Sequence, residues 1–178
     1  LKDAEVRCAI GFDTPLEVER SLATVPFEND APPRALPKGT CSDGLYVMFT
    51  SGTTGEPKGA LVSHKAVARL CDEQFFLSLS SNDCMLHAAP LGFDASTLEL
   101  WAPLLAGGSI AVWDGASADL LGLAECVARS KCTVAWLTSA LFQAAVDGVP
   151  SIFDRLEVLL TGGDVVSASH VETVLKRN

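Results

Sequence analysis

The chain has no uninterrupted apolar run approaching the roughly 20 residues of a membrane span, although 48% of its 178 residues are hydrophobic. No membrane partner is expected. It also lacks a charged-then-apolar leader at its start, so secretion is not suggested and a cytoplasmic location is expected. Blocks of one charge are missing. The 13 Lys and Arg stand against 22 Asp and Glu, for a net charge of −9, and the carboxylates are scattered. That balance argues against a nucleic-acid surface and fits an ordinary soluble protein. The cysteines, at 8, 41, 71, 84, 126 and 132, include no Cys-x-x-Cys pair. His64, His87 and His170 do not join them at zinc-site spacing, so no metal site is expected. Reduced core thiols are the expected state, since Cys84 and Cys126 sit in apolar stretches. A Ser-hydrolase elbow, G-x-S-x-G, is absent as well.

What is present is one loop, Thr50-Ser51-Gly52-Thr53-Thr54-Gly55-Glu56-Pro57-Lys58-Gly59. It follows the apolar run Leu45–Phe49, which reads as a buried strand. Small hydroxyl residues and three glycines let backbone N–H groups turn inward around an anion. Lys58 adds a mobile positive charge near the end, and Pro57 stiffens the exit. The spacing differs from the Walker pattern, which needs Gly, four residues and then Gly-Lys-Ser/Thr. Taken alone the segment is either a Gly/Thr-rich surface turn or a polyphosphate cradle; ten such residues directly after a strand favour the cradle.

The rest of the chain supplies a setting. Residues 1–44 form a leading segment whose end, with Pro32, Pro33, Pro37 and Gly39, reads as an extended connector. From residue 45 to 178 strands and helices alternate. Strands are expected over Leu45–Thr50, Met85–Ala89, Ile110–Trp113, Thr133–Leu137 and Leu156–Leu160. Helices are expected over Lys65–Phe76 with Ser63 as cap, from Thr97, over Ala118–Ser130 with Ser117 as cap, over Ala140–Val146, and from about His170. Ser96 with Glu99, and Ser169 with Glu172, have capping-box spacing. The second helix presents Leu98, Trp101, Ala102 and Leu105 as its apolar stripe and stops at Gly107-Gly108. The third faces inward with Leu120, Ala124, Val127 and Ala128. The alternation predicts an α/β fold, a mostly parallel sheet with helices on its faces. Ligands in such sheets gather at the carboxyl ends of strands. The loop after Phe49, the segment around Asp94 and the turn after Leu160 all occupy that position.

Asp94 lies between Phe93 and a helix start, where it is either a simple helix-entry residue or a carboxylate aimed at a cation. Thr161-Gly162-Gly163-Asp164 reads as a tight turn in which Gly supplies positive φ. His64 and His87 are possible general bases by type, but structural roles are preferred for both.

Leu45 through Gly59 resembles the signature of AMP-forming adenylating enzymes, a superfamily holding acyl-CoA synthetases, luciferases and the adenylation domains of nonribosomal peptide synthetases. The resemblance implies that Thr50, Ser51, Gly52, Thr53, Thr54, Gly55, Lys58 and Gly59 hold the ATP phosphates. Lys58 is implied to steady the departing pyrophosphate, with Thr53 and Thr54 beside it in the reaction. Phe93-Asp94-Ala95-Ser96 resembles the fourth core motif of the peptide-synthetase branch, which implies that Asp94 binds the α-ammonium of an amino acid and that Phe93 lies by the tunnel of the carrier thiol. The Gly162, Gly163 and Asp164 turn resembles the one beside adenine, where the family's acid is Glu rather than Asp. Aligned in this way, the amino acid pocket is walled by Asp94, Ala95, Leu98, Trp136, Leu160 and Gly162, an apolar set suited to Val, Ile or Leu. Trp136 alone reads as a plain core aromatic.

The implied chemistry joins an α-amino acid and ATP into aminoacyl-AMP and pyrophosphate, with Mg²⁺ sharing the phosphate charge. A carrier domain's phosphopantetheine thiol then takes the aminoacyl group. The chain reads as part of the N-terminal subdomain, truncated at its C-terminal side and dependent on the rest of the adenylation domain and synthetase. The Asn-x-Tyr-Gly-Pro-Thr-Glu motif is absent, so the piece alone is expected to be inactive. An acyl-CoA synthetase-type ligase and a non-catalytic nucleotide-binding module are the alternatives.

Overall fold

The computed structural model describes residues 8–10, 20–22, 38–50, 57–72, 76–116 and 118–177. The chain divides into two compact units, residues 1–65 and 66–178.

In the first unit, β1 (Cys8–Ile10) and β2 (Arg20–Leu22) form a parallel pair. Next, β3 (Gly44–Thr50) and β4 (Lys58–Ser63) pair antiparallel, with Thr50 opposite Lys58 and Phe49 opposite Gly59. The sequence pattern predicts no strand over Lys58–Ser63. Its residues are largely exposed, so the apolar alternation that marks a half-buried strand is weak there. Helix α1 (His64–Cys71), most of which belongs to the second unit, follows at once in the chain and is shorter than the Lys65–Phe76 expected. His64 N–H donates to the Asp43 carbonyl at 3.1 Å and Lys65 N–H to that of Cys41 at 2.8 Å. The turn before β3 is thereby joined to the start of α1.

The second unit is a four-stranded parallel sheet, ordered β6-β5-β7-β8, formed by β5 (Cys84–His87), β6 (Ser109–Val112), β7 (Val134–Thr138) and β8 (Val158–Gly162). Helices α2 (Ala95–Leu105), α3 (Leu120–Ser130), α4 (Ser139–Gly148) and α5 (Ala168–Leu175) connect or follow the strands, with a 3-10 helix over Pro150–Arg155. The expected α/β architecture holds here.

Side chains along β5 and β7 alternate between the faces, as the period of a strand requires. Leu86, Ala135 and Leu137 join Leu123, Cys126, Val127, Phe142 and Phe153 in one cluster, under α3, α4 and the 3-10 helix. Met85 and Val134 join Leu98 and Ala102 of α2 in the other, with Trp136, Val158 and Leu160 packed against it. Phe142 and Phe153 meet edge to face at 5.8 Å between ring centroids.

Several local expectations are corrected. Helix α2 starts at Ala95 rather than Thr97, and its stripe is not Leu98, Trp101, Ala102 and Leu105, because Leu105 is 61% exposed. The buried set is Ser96, Thr97, Leu98, Glu99, Ala102 and Pro103, which includes two hydroxyls and a carboxylate. The cap of α3 is Asp119, whose carboxylate accepts from Gly122 N–H at 2.9 Å; Ser117 lies outside the described residues. That helix buries Leu123, Cys126 and Val127, and Ala128 is exposed. Helix α5 starts at Ala168. The Ser167 hydroxyl does not cap it and instead meets His170 Nδ1 at 2.6 Å and Ser169 Oγ at 3.0 Å.

The cysteines at 41, 71, 84, 126 and 132 are free thiols. Among the described residues no helix is long and apolar enough to cross a membrane.

Candidate functional site

A parallel sheet places the ends of all its strands along one edge. In the second unit that edge carries the segment after β5, which leads to Asp94, and the turn after β8, which holds Gly162, Gly163 and Asp164. Two of the segments singled out in the sequence therefore share one edge of one sheet. The third, the loop from Thr50 to Gly59, belongs to the first unit.

Asp94 occupies the N-cap position of α2 with φ −59° and ψ −32°, yet its side chain makes no capping hydrogen bond. The reading of Asp94 as a simple helix-entry cap thus loses its physical basis: the carboxylate is exposed and not spent on the helix N–H groups. Phe93 beside it is 60% exposed. Ala95 and Leu98 follow on the same helix, and i, i+3 and i, i+4 spacing aligns Asp94 and Ala95 with Leu98 along one face.

Two side chains hold the bend between β5 and α2. The Ser96 hydroxyl lies 2.6 Å from the Phe93 carbonyl and 3.2 Å from that of Leu91, to which it donates. The Glu99 carboxylate is fully buried, at 0% exposure. Its Oε2 accepts from Ala88 N–H at 3.1 Å and Ala89 N–H at 3.0 Å, and meets His87 Nδ1 at 2.7 Å. Burial pushes the Glu99 carboxyl up, against the opposing pull of the Ala89 N–H, His87 and the Ala88 N–H. The capping box read from Ser96 and Glu99 is therefore wrong: both side chains turn away from the helix start, toward the strand and loop before it. The clue in the sequence was Glu99 itself, an ionisable residue inside Leu98-Glu99-Leu100-Trp101.

Trp136 and Leu160 face each other across β7 and β8 and pack against the cluster that includes Leu98. Three of the proposed pocket walls are thus brought together. Phe93 and Trp136 also line a cavity of about 180 Å³ with Ala88, Ala89, Pro90, Glu99, Thr138 and Leu141; of the proposed pocket walls only Trp136 lines it, and Asp94, Ala95, Leu98, Leu160 and Gly162 do not.

Gly163 adopts φ +84°, as a tight turn with glycine requires. No atom lies within 4 Å of where a Cβ would stand at Gly162 or Gly163, so the turn borders open space. Ser139, buried at the start of α4, points its hydroxyl at the Gly162 carbonyl (3.0 Å) and the Asp164 carbonyl (2.9 Å). No pattern in the sequence singles out Ser139. Asp164 Oδ1 accepts from Val165 N–H at 2.7 Å, so its short side chain is partly engaged in its own turn.

In the first unit Ser51, Gly52, Thr53, Thr54, Gly55 and Glu56 lie outside the described residues. Thr50 and Lys58 stand opposite each other, and the Thr50 hydroxyl points to the Lys58 carbonyl at 3.4 Å. The backbone of Lys58 is therefore held in a paired strand at the loop's exit, which the sequence reads as stiffened by Pro57. At Gly59 a Cβ would come within 3.0 Å of Val47 Cγ1, which gives that glycine a packing role besides any cradle role. Among the described residues no group of three or more His, Cys, Asp or Glu gathers to hold a metal ion.

A parallel α/β sheet whose strand-end edge carries an exposed aspartate and a glycine turn has the build of a ligand-binding unit. The chain belongs to the AMP-binding enzyme family, which it matches over residues 2–178. It is 37% identical over 134 residues to tyrocidine synthase 3 of Brevibacillus parabrevis, covering 75% of this chain and 2% of that protein. It is 42% identical over 120 residues to malpibaldin synthetase of Mortierella alpina, covering 67% of this chain and 2% of that protein. Among solved structures it resembles holo-PA1221, an NRPS protein with adenylation and PCP domains bound to a vinylsulfonamide inhibitor, at 36% identity and a TM-score of 0.81. That match covers 93% of this chain and 29% of the other. The Klebsiella oxytoca NpsA N-terminal subdomain, in complex with 3-hydroxyanthranilyl-AMSN, matches 99% of this chain and 46% of its own, at 26% identity and a TM-score of 0.86. The chain thus spans a small part of the curated relatives and under half of these solved chains.

Proposed function

We propose that this chain forms part of an adenylation domain of a nonribosomal peptide synthetase, an AMP-forming ligase that activates an α-amino acid with ATP and passes it to a peptidyl carrier domain. The observation that carries the proposal is Asp94: a helix-start carboxylate not used for capping, one turn from Leu98 on the edge where β5 ends. Such a carboxylate suits an α-ammonium, which a fatty or aryl acid would not bring. This favours amino acid activation over an acyl-CoA synthetase-type ligase.

In this reading Asp94 holds the ammonium, while Ala95, Leu98, Trp136, Leu160 and Gly162 surround an aliphatic side chain such as that of Val, Ile or Leu. Gly162, Gly163 and Asp164 border the adenine. Thr50 to Gly55, Lys58 and Gly59 cradle the phosphates, with Lys58, Thr53 and Thr54 nearest the leaving pyrophosphate. ATP supplies the electrophilic α-phosphorus, and the amino acid carboxylate displaces pyrophosphate from it. These residues contribute position and charge neutralisation rather than proton transfer, because a carboxylate is already a nucleophile. Mg²⁺ and the carrier's phosphopantetheine belong to the complete assembly. PA1221, which joins adenylation and PCP domains, supports the pairing with a carrier.

The test is Asp94→Ala in the complete adenylation domain, read by amino acid-dependent ATP–pyrophosphate exchange. Loss of a charge-assisted contact predicts a fall on the order of 100-fold in kcat/KM for the amino acid. Full activity in the variant would point to an acyl substrate without an ammonium.

A further inference from the structure

Burying a carboxylate is costly, and an apolar residue of similar size would pack at position 99 without that cost. Packing of α2 against the sheet does not need Glu99, since Leu98 and Ala102 already reach that cluster. What Glu99 adds is a set of contacts to three consecutive residues, His87, Ala88 and Ala89, where β5 ends. The N–H groups of Ala88 and Ala89 lie just beyond the last strand residue, and the carboxylate gives them a partner. All three contacts converge on Oε2; Oε1 is buried and has no hydrogen-bond partner among the described residues. Glu99 rides on the helix whose N-cap is Asp94. The segment from Ala88 to Asp94 is therefore fixed at its first residues by Glu99 and at its last by the helix itself, with the Ser96 hydroxyl on Leu91 and Phe93 between.

We propose that Glu99 is a positioning residue for amino acid recognition: by tying α2 to the end of β5 through His87, Ala88 and Ala89, it sets where the Asp94 carboxylate stands. This rests on the reading of Asp94 as the ammonium partner. Without the Glu99 carboxylate the helix start is released from the strand end, and Asp94 shifts relative to the wall formed by Trp136 and Leu160. Neither segment proposed to hold ATP, Thr50–Gly59 or Gly162–Asp164, is among the contacts of Glu99, so the effect falls on the amino acid and spares ATP.

The experiment compares Glu99→Ala, Glu99→Gln and Asp94→Ala in the complete adenylation domain, with separate KM values for amino acid and ATP. Glu99→Ala is expected to raise the amino acid KM about tenfold while the ATP KM stays within about twofold. Glu99→Gln keeps an acceptor for the two backbone N–H groups and is expected to recover most of that loss. A structural role alone would lower kcat with the folded fraction and leave both KM values unchanged; that result overturns the proposal. If Glu99→Ala does not fold, His87→Ala, which removes one of the three contacts, decides by the same split with about a threefold rise expected. An unchanged amino acid KM there overturns the proposal too. Asp94→Ala separates the two ideas: if it leaves amino acid-dependent exchange intact, the reading of Asp94 fails, whereas a loss there beside unchanged Glu99 and His87 variants defeats the positioning role alone.

Discussion

Trp136 and Leu160 stand opposite each other in the register of β7 and β8, and both pack against the cluster that holds Leu98. If Trp136 walls the amino acid pocket as proposed, its indole fills space that a larger substrate side chain would need. Trp136→Ala in the complete domain is expected to move substrate preference from aliphatic toward aromatic amino acids. Apolar pockets discriminate by only about 1–3 kcal/mol per group, so the shift should be on the order of 10- to 100-fold in relative kcat/KM. A panel of amino acids in the exchange assay measures it, and an unchanged ranking would remove Trp136 from the pocket.

The sequence made Trp136 and Leu160 legible as strand residues because their neighbours alternate or run apolar. It did not make Glu99 legible. Ser96 and Glu99 matched a local pattern, the capping box, whose spacing is satisfied by many residue pairs that do something else. The competing interaction was long-range: a buried acceptor for N–H groups ten and eleven residues away along the chain. Strand β4 escaped notice for a different reason. Its exposed residues carry little apolar period, and only pairing with β3 reveals it. Parallel topology followed from alternation over residues 84–162, but the antiparallel pair of β3 and β4 did not.

Ser139 holds the glycine turn through the carbonyls of Gly162 and Asp164. Ser139→Ala leaves both without that donor, at a cost of about 1–3 kcal/mol in stability. If the turn borders adenine, the ATP KM should rise more than the amino acid KM. Equal KM values to wild type, with only a lower melting temperature, would confine Ser139 to folding.

Asp83 joins the starts of two strands. Its carboxylate accepts from Ser80 N–H at 2.7 Å and the Ser80 hydroxyl at 2.9 Å through one oxygen, and from the Thr133 hydroxyl at 2.8 Å through the other. Burial would raise this carboxyl, but the Ser80 and Thr133 donors together hold it below the usual carboxylate value. A depressed folded value means that the stabilisation is present above the unfolded value of about 3.9 and is lost as pH falls through the lower folded value. Asp83→Ala should therefore destabilise by about 1–3 kcal/mol at pH 7 in urea denaturation, with a smaller gap from wild type at pH 3. An equal gap at both pH values would show that the charge is not what matters.

The thiol of Cys132 is pushed up to about 12, first by burial and then by the neighbouring Cys84 and Cys126. Only the thiolate reacts readily. Alkylation of the folded protein at pH 8 should modify the exposed Cys41 and leave Cys84, Cys126 and Cys132 intact until denaturant is added. Mass spectrometry of the peptides reads the result, and native-state labelling of Cys132 at the rate of Cys41 would contradict the buried arrangement.

The pairing of Thr50 with Lys58 has a consequence for how the intervening residues can act. Their two ends enter and leave through one rung of an antiparallel ladder. The entropy of bringing those ends together is lost when the hairpin forms, before any ligand arrives. A polyanion gripped there would owe its affinity to contacts made within an already closed ring, with less ordering left to oppose binding than an open chain would present.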